Sequence, residues 1–197
     1  MNDSTRVQAE QLGRMRGMTR YYHQRFFSDV RFTATATLVF FVVGWGWVPE
    51  AFLLIPVVTL FGAAMTAFDA SYLLFARHYA ARLERDINAE LGPEALLAAR
   101  VEDVYLFPLN TTKLVVAGFG PGFTWFGFMT LFITFLGVAA FLFGLLLGFP
   151  VLSDHGDAWV IGYLGTLVAF GGGALVVGWW WFVRGEGERR LRSVLDT

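Results

Sequence analysis

The sequence predicts an all-α membrane protein with four transmembrane helices, both termini on the cytoplasmic side, a small cytoplasmic helical extension and a short β-hairpin. Three observations lead there. The 197-residue chain is 56% hydrophobic and 16% charged, whereas soluble domains carry about a quarter charged residues. Its apolar residues gather into four runs long enough to cross ~30 Å of hydrocarbon, which takes about 20 residues in a helix. Every Lys and Arg falls in one of three clusters that flank those runs. One soluble core cannot enclose that much continuous apolar sequence. Lipid solvates it directly, provided each backbone group is bonded within its own helix.

Residues 1–31 read as a cytoplasmic amphipathic helix. Thr5 and Gln8 fit a capping box, and Leu12, Met15, Tyr22, Phe26 and Val30 recur at helical spacing. The first apolar run starts only near Phe32, after a long Arg-rich segment. That is not the layout of a cleavable signal, so this run is expected to stay as span one. Residues 32–76 form a transmembrane hairpin, with span one near Phe32–Val48 and span two near Ala51–Tyr72.

Residues 77–123 form a cytoplasmic helix plus an apolar connector. Ala80, Leu83, Ile87 and Leu91 make one stripe, and Gly92-Pro93 ends the helix. Span two is therefore expected to leave the bilayer as a long rod and to pack antiparallel on the N-terminal helix. The competing arrangement lays that N-terminal helix flat on anionic lipid. A short helix, "PEALLAARVED", precedes "VYLFPLNTTKLVVAGFGPG", Val104 to Gly122. This stretch has three readings: a hairpin that lids a small core, an interfacial or re-entrant segment, or a helix from Asn110 into span three. The lid reading singles out Leu83, Ile87, Leu106 and Val115 as docking or lid residues.

Residues 124–183 form the second transmembrane hairpin, with span three near Thr124–Phe149, a loop at Pro150–Ala158 and span four near Trp159–Val183. Residues 184–197 are a cytoplasmic tail. Orientation follows from charge. Six Arg precede span one, five basic residues lie between spans two and three, and four follow span four; the other two connections have none. Cytoplasmic loops hold the excess of Lys and Arg. Trp45 and Trp47, and Trp179 to Trp181, sit at span ends, where indole rings favour the headgroup region. The expected location is the cytoplasmic membrane of a prokaryote.

The chemistry-bearing residues are few. Asp69, Thr33 and Thr37 form a candidate intramembrane polar site. Asp69 is an acid inside a span, which suggests a proton or cation site; its nearness to the inner end, at about the level of Arg31 and Arg77, favours a structural ion pair. The Thr pairs Thr33/Thr37 and Thr130/Thr134 either line a polar path or bond carbonyls one turn back. Gly162, Gly165, Gly171, Gly172 and Gly173 in span four point to close helix packing. His23, His78 and His155 lie outside the spans, and Asp154, His155 and Asp157 read as a polar turn rather than a metal site. With no cysteine, no phosphate loop and no nucleophile elbow, the expectation is no enzymatic activity, no metal and no cofactor. Its expected partners are the lipid bilayer and either further copies of itself or other membrane subunits, with no nucleic acid. The expected function is helix association, as a homo-oligomer or an accessory subunit of a membrane complex. The alternative is an oligomeric ion channel or pore lined by span one or two.

The charge pattern makes a direct prediction. Reporter fusions after Glu50 and after Asp154 should read outside, and a fusion after Gly92 should read inside. An inside reading at Asp154 would refute the four-span order.

Overall fold

The computed structural model describes residues 3–92, 95–106, 109 and 124–195. Among these residues every regular element is helical: α1 (Asp3–Gly46), α2 (Leu54–Leu91), α3 (Ala98–Tyr105), α4 (Trp125–Asp154), α5 (Asp157–Gly178) and α6 (Glu186–Leu195). A 3-10 turn, Pro49–Leu53, leads into α2, and a wide π turn, Trp179–Val183, follows α5. Four helices are long and apolar enough to cross a membrane. The chain divides into two compact units. One holds Met1–Arg25, Phe68–Leu131 and Trp181–Thr197; the other holds Phe26–Ala67 and Phe132–Trp180.

The first helix runs unbroken from its polar start into the first apolar run, over 44 residues. The expected capping box does not form. Thr5 lies inside the helix, buried, and its hydroxyl donates to Glu90 on α2. A tertiary acceptor for the Thr5 O–H stands in place of the local N–H donor that the Thr-to-Gln spacing suggested. The rod expected after span two is present, because α2 continues to Leu91. It ends where Gly92 takes φ +116°, a conformation that favours glycine.

In the first unit the two rods pack antiparallel. Tyr22 stacks on Tyr72 at 4.8 Å, and Tyr79 donates to Gln11. Leu73, Ala76, Ala80, Leu83 and Ile87 are all buried on α2, whereas Leu91, at the helix end, is exposed. Residues expected to begin a strand, Val104 and Tyr105, instead complete α3. Leu106 follows as a turn and packs on buried Leu109, together with Leu74, Ala81 and Phe126. The rest of the 104–122 stretch, including Val115, lies outside the described residues, and with it the choice among hairpin, interfacial segment and helix from Asn110.

In the second unit α2 is the central element. One-third (33%) of its most apolar window is buried, against 11% in each of the other three long helices. Small residues set the spacing. A Cβ on Gly62 would overlap the Thr33 side chain of α1. One on Gly144 of α4 would lie 2.8 Å from Ile55 Cβ and 2.9 Å from Pro56 Cδ. On α5, the Tyr163 hydroxyl donates to the Leu53 carbonyl at 2.6 Å.

The expected loop at Pro150–Ala158 shrinks to His155 and Gly156, because α4 continues through Pro150 to Asp154. Proline removes one backbone donor, but within the last turns only one carbonyl loses its partner. The closing carbonyls are served locally: Ser153 Oγ donates to Pro150 O, and His155 Nδ1 lies 2.8 Å from Val151 O. Gly156, at φ +99°, then makes the reversal into α5. The expected tail also contains order, since most of residues 184–197 form α6. Gly187 of α6 rests against Trp181, where a Cβ would come within 2.7 Å of the ring.

Gly144→Ala should lower stability by about 1–3 kcal/mol, because rigid atoms of Ile55 and Pro56 occupy the space the methyl needs. Gly165→Ala, where a Cβ meets nothing within 4 Å, should be neutral or stabilising. Thermal unfolding in mild detergent measures both. Equal losses would contradict the packing described.

Candidate functional site: a charged seam along α2

The buried face of α2 in the first unit is not purely apolar. Asp69, Arg77 and Glu84 are spaced eight and seven residues apart, so they fall on the same face as Leu73, Ala80 and Ile87. All three are buried: Asp69 and Arg77 are 0% and 1% exposed, and Glu84 is 3% exposed. Buried charges are tolerated when they are paired and hydrogen-bonded. Each of these has a partner from another element.

Glu84 is the best satisfied. One carboxylate oxygen accepts from Arg16 Nη2 of α1 at 2.6 Å, and the other accepts from the Ala99 backbone N–H at 2.9 Å. The second bond serves an orphan donor in the first turn of α3, where negative charge is also favoured. Arg16 extends its second Nη to Glu102 of α3. Arg77 lies 3.3 Å from Glu102 and donates to Asp103 at 3.1 Å. Burial pushes the Arg77 guanidinium down from its ordinary range, and the charges of Glu102 and Asp103 pull it back up. Asn88, one turn beyond Glu84, donates to Leu96 O at 2.8 Å and accepts from Leu96 N at 2.9 Å. Arg77, Glu84 and Asn88 thus hold the whole of α3 and the residues just before it.

Asp69 lies at the other end of the seam. Its carboxylate is 3.3 Å from Arg25 Nε of α1, a longer approach than a strong charge-assisted bond. Arg31 and Arg77, the cations expected near it, are engaged elsewhere: Arg31 donates to Phe27 O, and Arg77 faces α3. The aromatic pair Tyr22–Tyr72 belongs to the same α1–α2 contact.

The other sequence candidates are dispersed. Thr33 faces Gly62, while Thr37 on the same face is buried with its hydroxyl unpartnered among the described residues. Thr130 donates to Phe126 O at 2.8 Å, one turn back. Gly171 of α5 meets Leu60 of α2, whereas a Cβ on Gly162, Gly165, Gly172 or Gly173 would meet nothing within 4 Å. Leu83 and Ile87 are buried on α2, and Leu106 is half-buried beside Leu109. A cleft of about 480 Å³ opens beside the seam, lined in part by His78, Glu84, Arg85, Asn88, Arg100 and Asp103. Among the described residues no group of three or more His, Asp or Glu side chains is placed to hold a metal ion.

Sequence reasoning named Asp69 but missed Arg16, Arg77, Glu84 and Glu102 as a set. A usable signal was present: three charges at helical spacing on a face otherwise made of Leu, Ala and Ile. No family model, curated protein or solved structure matches the chain.

Glu102→Gln combined with Asp103→Asn should cost about 3–5 kcal/mol, because it leaves the buried Arg77 guanidinium without a counter-charge. Asp69→Asn should leave assembly intact and shift the melting temperature far less, since Arg25 is half-exposed and its approach is long. Melting curves of both variants in mild detergent test this. A collapse caused by Asp69→Asn alone would make that acid the anchor of the α1–α2 pair.

Proposed function

We propose that this chain is an integral membrane protein that works by helix association, as a homo-oligomer or as an accessory subunit of a membrane complex, rather than by catalysis. The observation that carries this reading is the unused glycine surface of α5. Gly44, Gly62, Gly144 and Gly148, and Gly171 of α5 itself, pack against neighbouring residues of the chain. Gly162, Gly165, Gly172 and Gly173 leave open space on α5. In lipid, helices gain no hydrophobic drive to associate, and small residues instead allow close backbone contact. A glycine also costs about 1 kcal/mol of helix propensity relative to alanine. A helix carrying several that its own chain does not use is suited to an external helix.

The basic residues support an orientation with both termini and the 77–123 segment in the cytoplasm. The seam then lies on the cytoplasmic side as a docking module. Against the channel alternative, Asp69 is paired with Arg25 and Thr33 packs against Gly62 within the chain.

The test is oligomeric state in nanodiscs or mild detergent, by light scattering. The wild-type chain should form a defined oligomer, and Gly165→Leu or Gly172→Leu should dissociate it with the helical signal and melting of the monomer retained. A wild-type monomer that also fails to bind other membrane subunits stably would refute the reading. So would an oligomer unaffected by either substitution. Cation flux from liposomes containing the oligomer would favour the channel alternative instead.

A further inference from the structure

Helix α3 faces inward with its charges and outward with its apolar side chains. Glu102 and Asp103 turn toward Arg16 and Arg77, and the Ala99 N–H turns toward Glu84. The opposite side carries Leu97, Val101 and Tyr105, four residues apart, and Val104, three after Val101, all along one stripe. Their exposures are 44%, 55%, 72% and 74%. Arg100, also exposed, flanks the stripe one turn before Val104. A short helix in water places these two faces the other way round.

The C-terminal end of α3 is joined to the start of an apolar helix. The Thr124 hydroxyl donates to the Leu106 carbonyl, just past α3, at 2.6 Å. The same oxygen accepts from Gly127 N at 3.1 Å, capping the first turn of α4. One side chain therefore staples the end of α3 to the beginning of α4, which is long and apolar enough to cross a membrane. Trp125, the first residue of α4, is 70% exposed, like Tyr105 at the end of α3. Exposed Trp and Tyr are the residues that collect at the membrane–water boundary.

We infer that α3 is an interfacial helix, whose Leu97–Val101–Val104–Tyr105 stripe lies in the boundary between headgroups and acyl chains. This rests on α4 crossing the bilayer. The occupant of the apolar face is the lipid surface itself. The stripe continues the exposed aromatic level set by Trp125, and interfacial helices bury an apolar face ~5–10 Å into that region. Arg100, beside the stripe, has the reach to bring its guanidinium to lipid phosphates while its methylenes lie along the apolar surface. The charged seam then has a mechanical role. By gripping α3 through Glu102, Asp103 and the Ala99 N–H, it turns the apolar side outward and holds it at the membrane.

The chain has no cysteine, so single thiols can be placed at will. Val104→Cys, Glu90→Cys and Val138→Cys would each carry a bimane label in the full chain, reconstituted into vesicles with and without lipids brominated on the acyl chains near the headgroup or near the chain ends. Val138, exposed in the middle of α4, reports whether that helix is in the bilayer; Glu90, at the far end of α2, serves as the aqueous reference. The expected result is loss of Val104 emission with bromines near the headgroup, loss of Val138 emission with bromines near the chain ends, and none at Glu90. Quenching at Val138 without quenching at Val104 overturns the inference and leaves the membrane reading intact. No quenching at Val138 overturns the membrane placement of α4, and the inference falls with it. As a second check, Tyr105→Ser with Val104→Ser should abolish quenching of a label at Val101→Cys while leaving Val138 unchanged. Unchanged quenching at Val101 would show that the stripe does not hold the helix in lipid.

Discussion

The first unit depends on the pairing of charges buried along one face of α2. A buried Arg77 or Glu84 without a counter-charge would cost several kcal/mol, more than any single apolar contact in this small core contributes. That penalty limits where α1 and α3 can sit. Sliding α1 along α2 by one turn would take Arg16 away from Glu84, and rotating α3 would remove Glu102 and Asp103 from Arg77. Alanine and leucine on the same face tolerate either movement, because apolar contact has no direction. The apolar residues supply cohesion and the charged ones supply register. Asn88 adds a third element of specificity, since its amide bonds both polar groups of Leu96 at once.

The second unit solves a different problem. Its side chains are apolar almost throughout, and in the proposed membrane setting lipid would compete with neighbouring helices for apolar contact on equal terms. Position there is set by shape and by a few polar contacts. Gly62 receives Thr33, and Gly144 and Gly148 receive the Leu53–Pro56 segment. The Tyr163 hydroxyl adds a directional bond to Leu53 O. α2, with the 3-10 turn that leads into it, takes part in all of these contacts and in the charged seam, which makes it the spine of each unit in turn. Its two halves use opposite chemistry on the same helical periodicity.

Much of this was legible in the sequence, and the misses have definite causes. The run of α1 into its span, the rod beyond span two and the stop at Gly92 all follow from local periodicity and from glycine at a helix end. Thr5 was misread because its spacing to Gln8 imitates a local cap, while its acceptor, Glu90, is 85 residues away. Pro150 suggested a loop because proline usually breaks helices, but in a closing turn it removes a single bond, and Ser153 and His155 serve the carbonyls nearby. The glycines of span four were legible as a surface suited to packing. Which glycines the chain itself uses was not, because that depends on which helix arrives opposite each one.

By itself the sequence determined helix identity, length and hydropathy, since hydrocarbon admits no backbone that is not internally bonded and twenty apolar residues have few other options. It also determined where charge is allowed, through the three basic clusters. Only the tertiary structure decided which charges face each other, that α3 turns its apolar side outward, and that α5 keeps a bare glycine surface. Those outcomes depend on side chains far apart in the chain meeting across helices. A buried ion pair or a close glycine contact exists only once both partners are in place, and no local window of residues contains both.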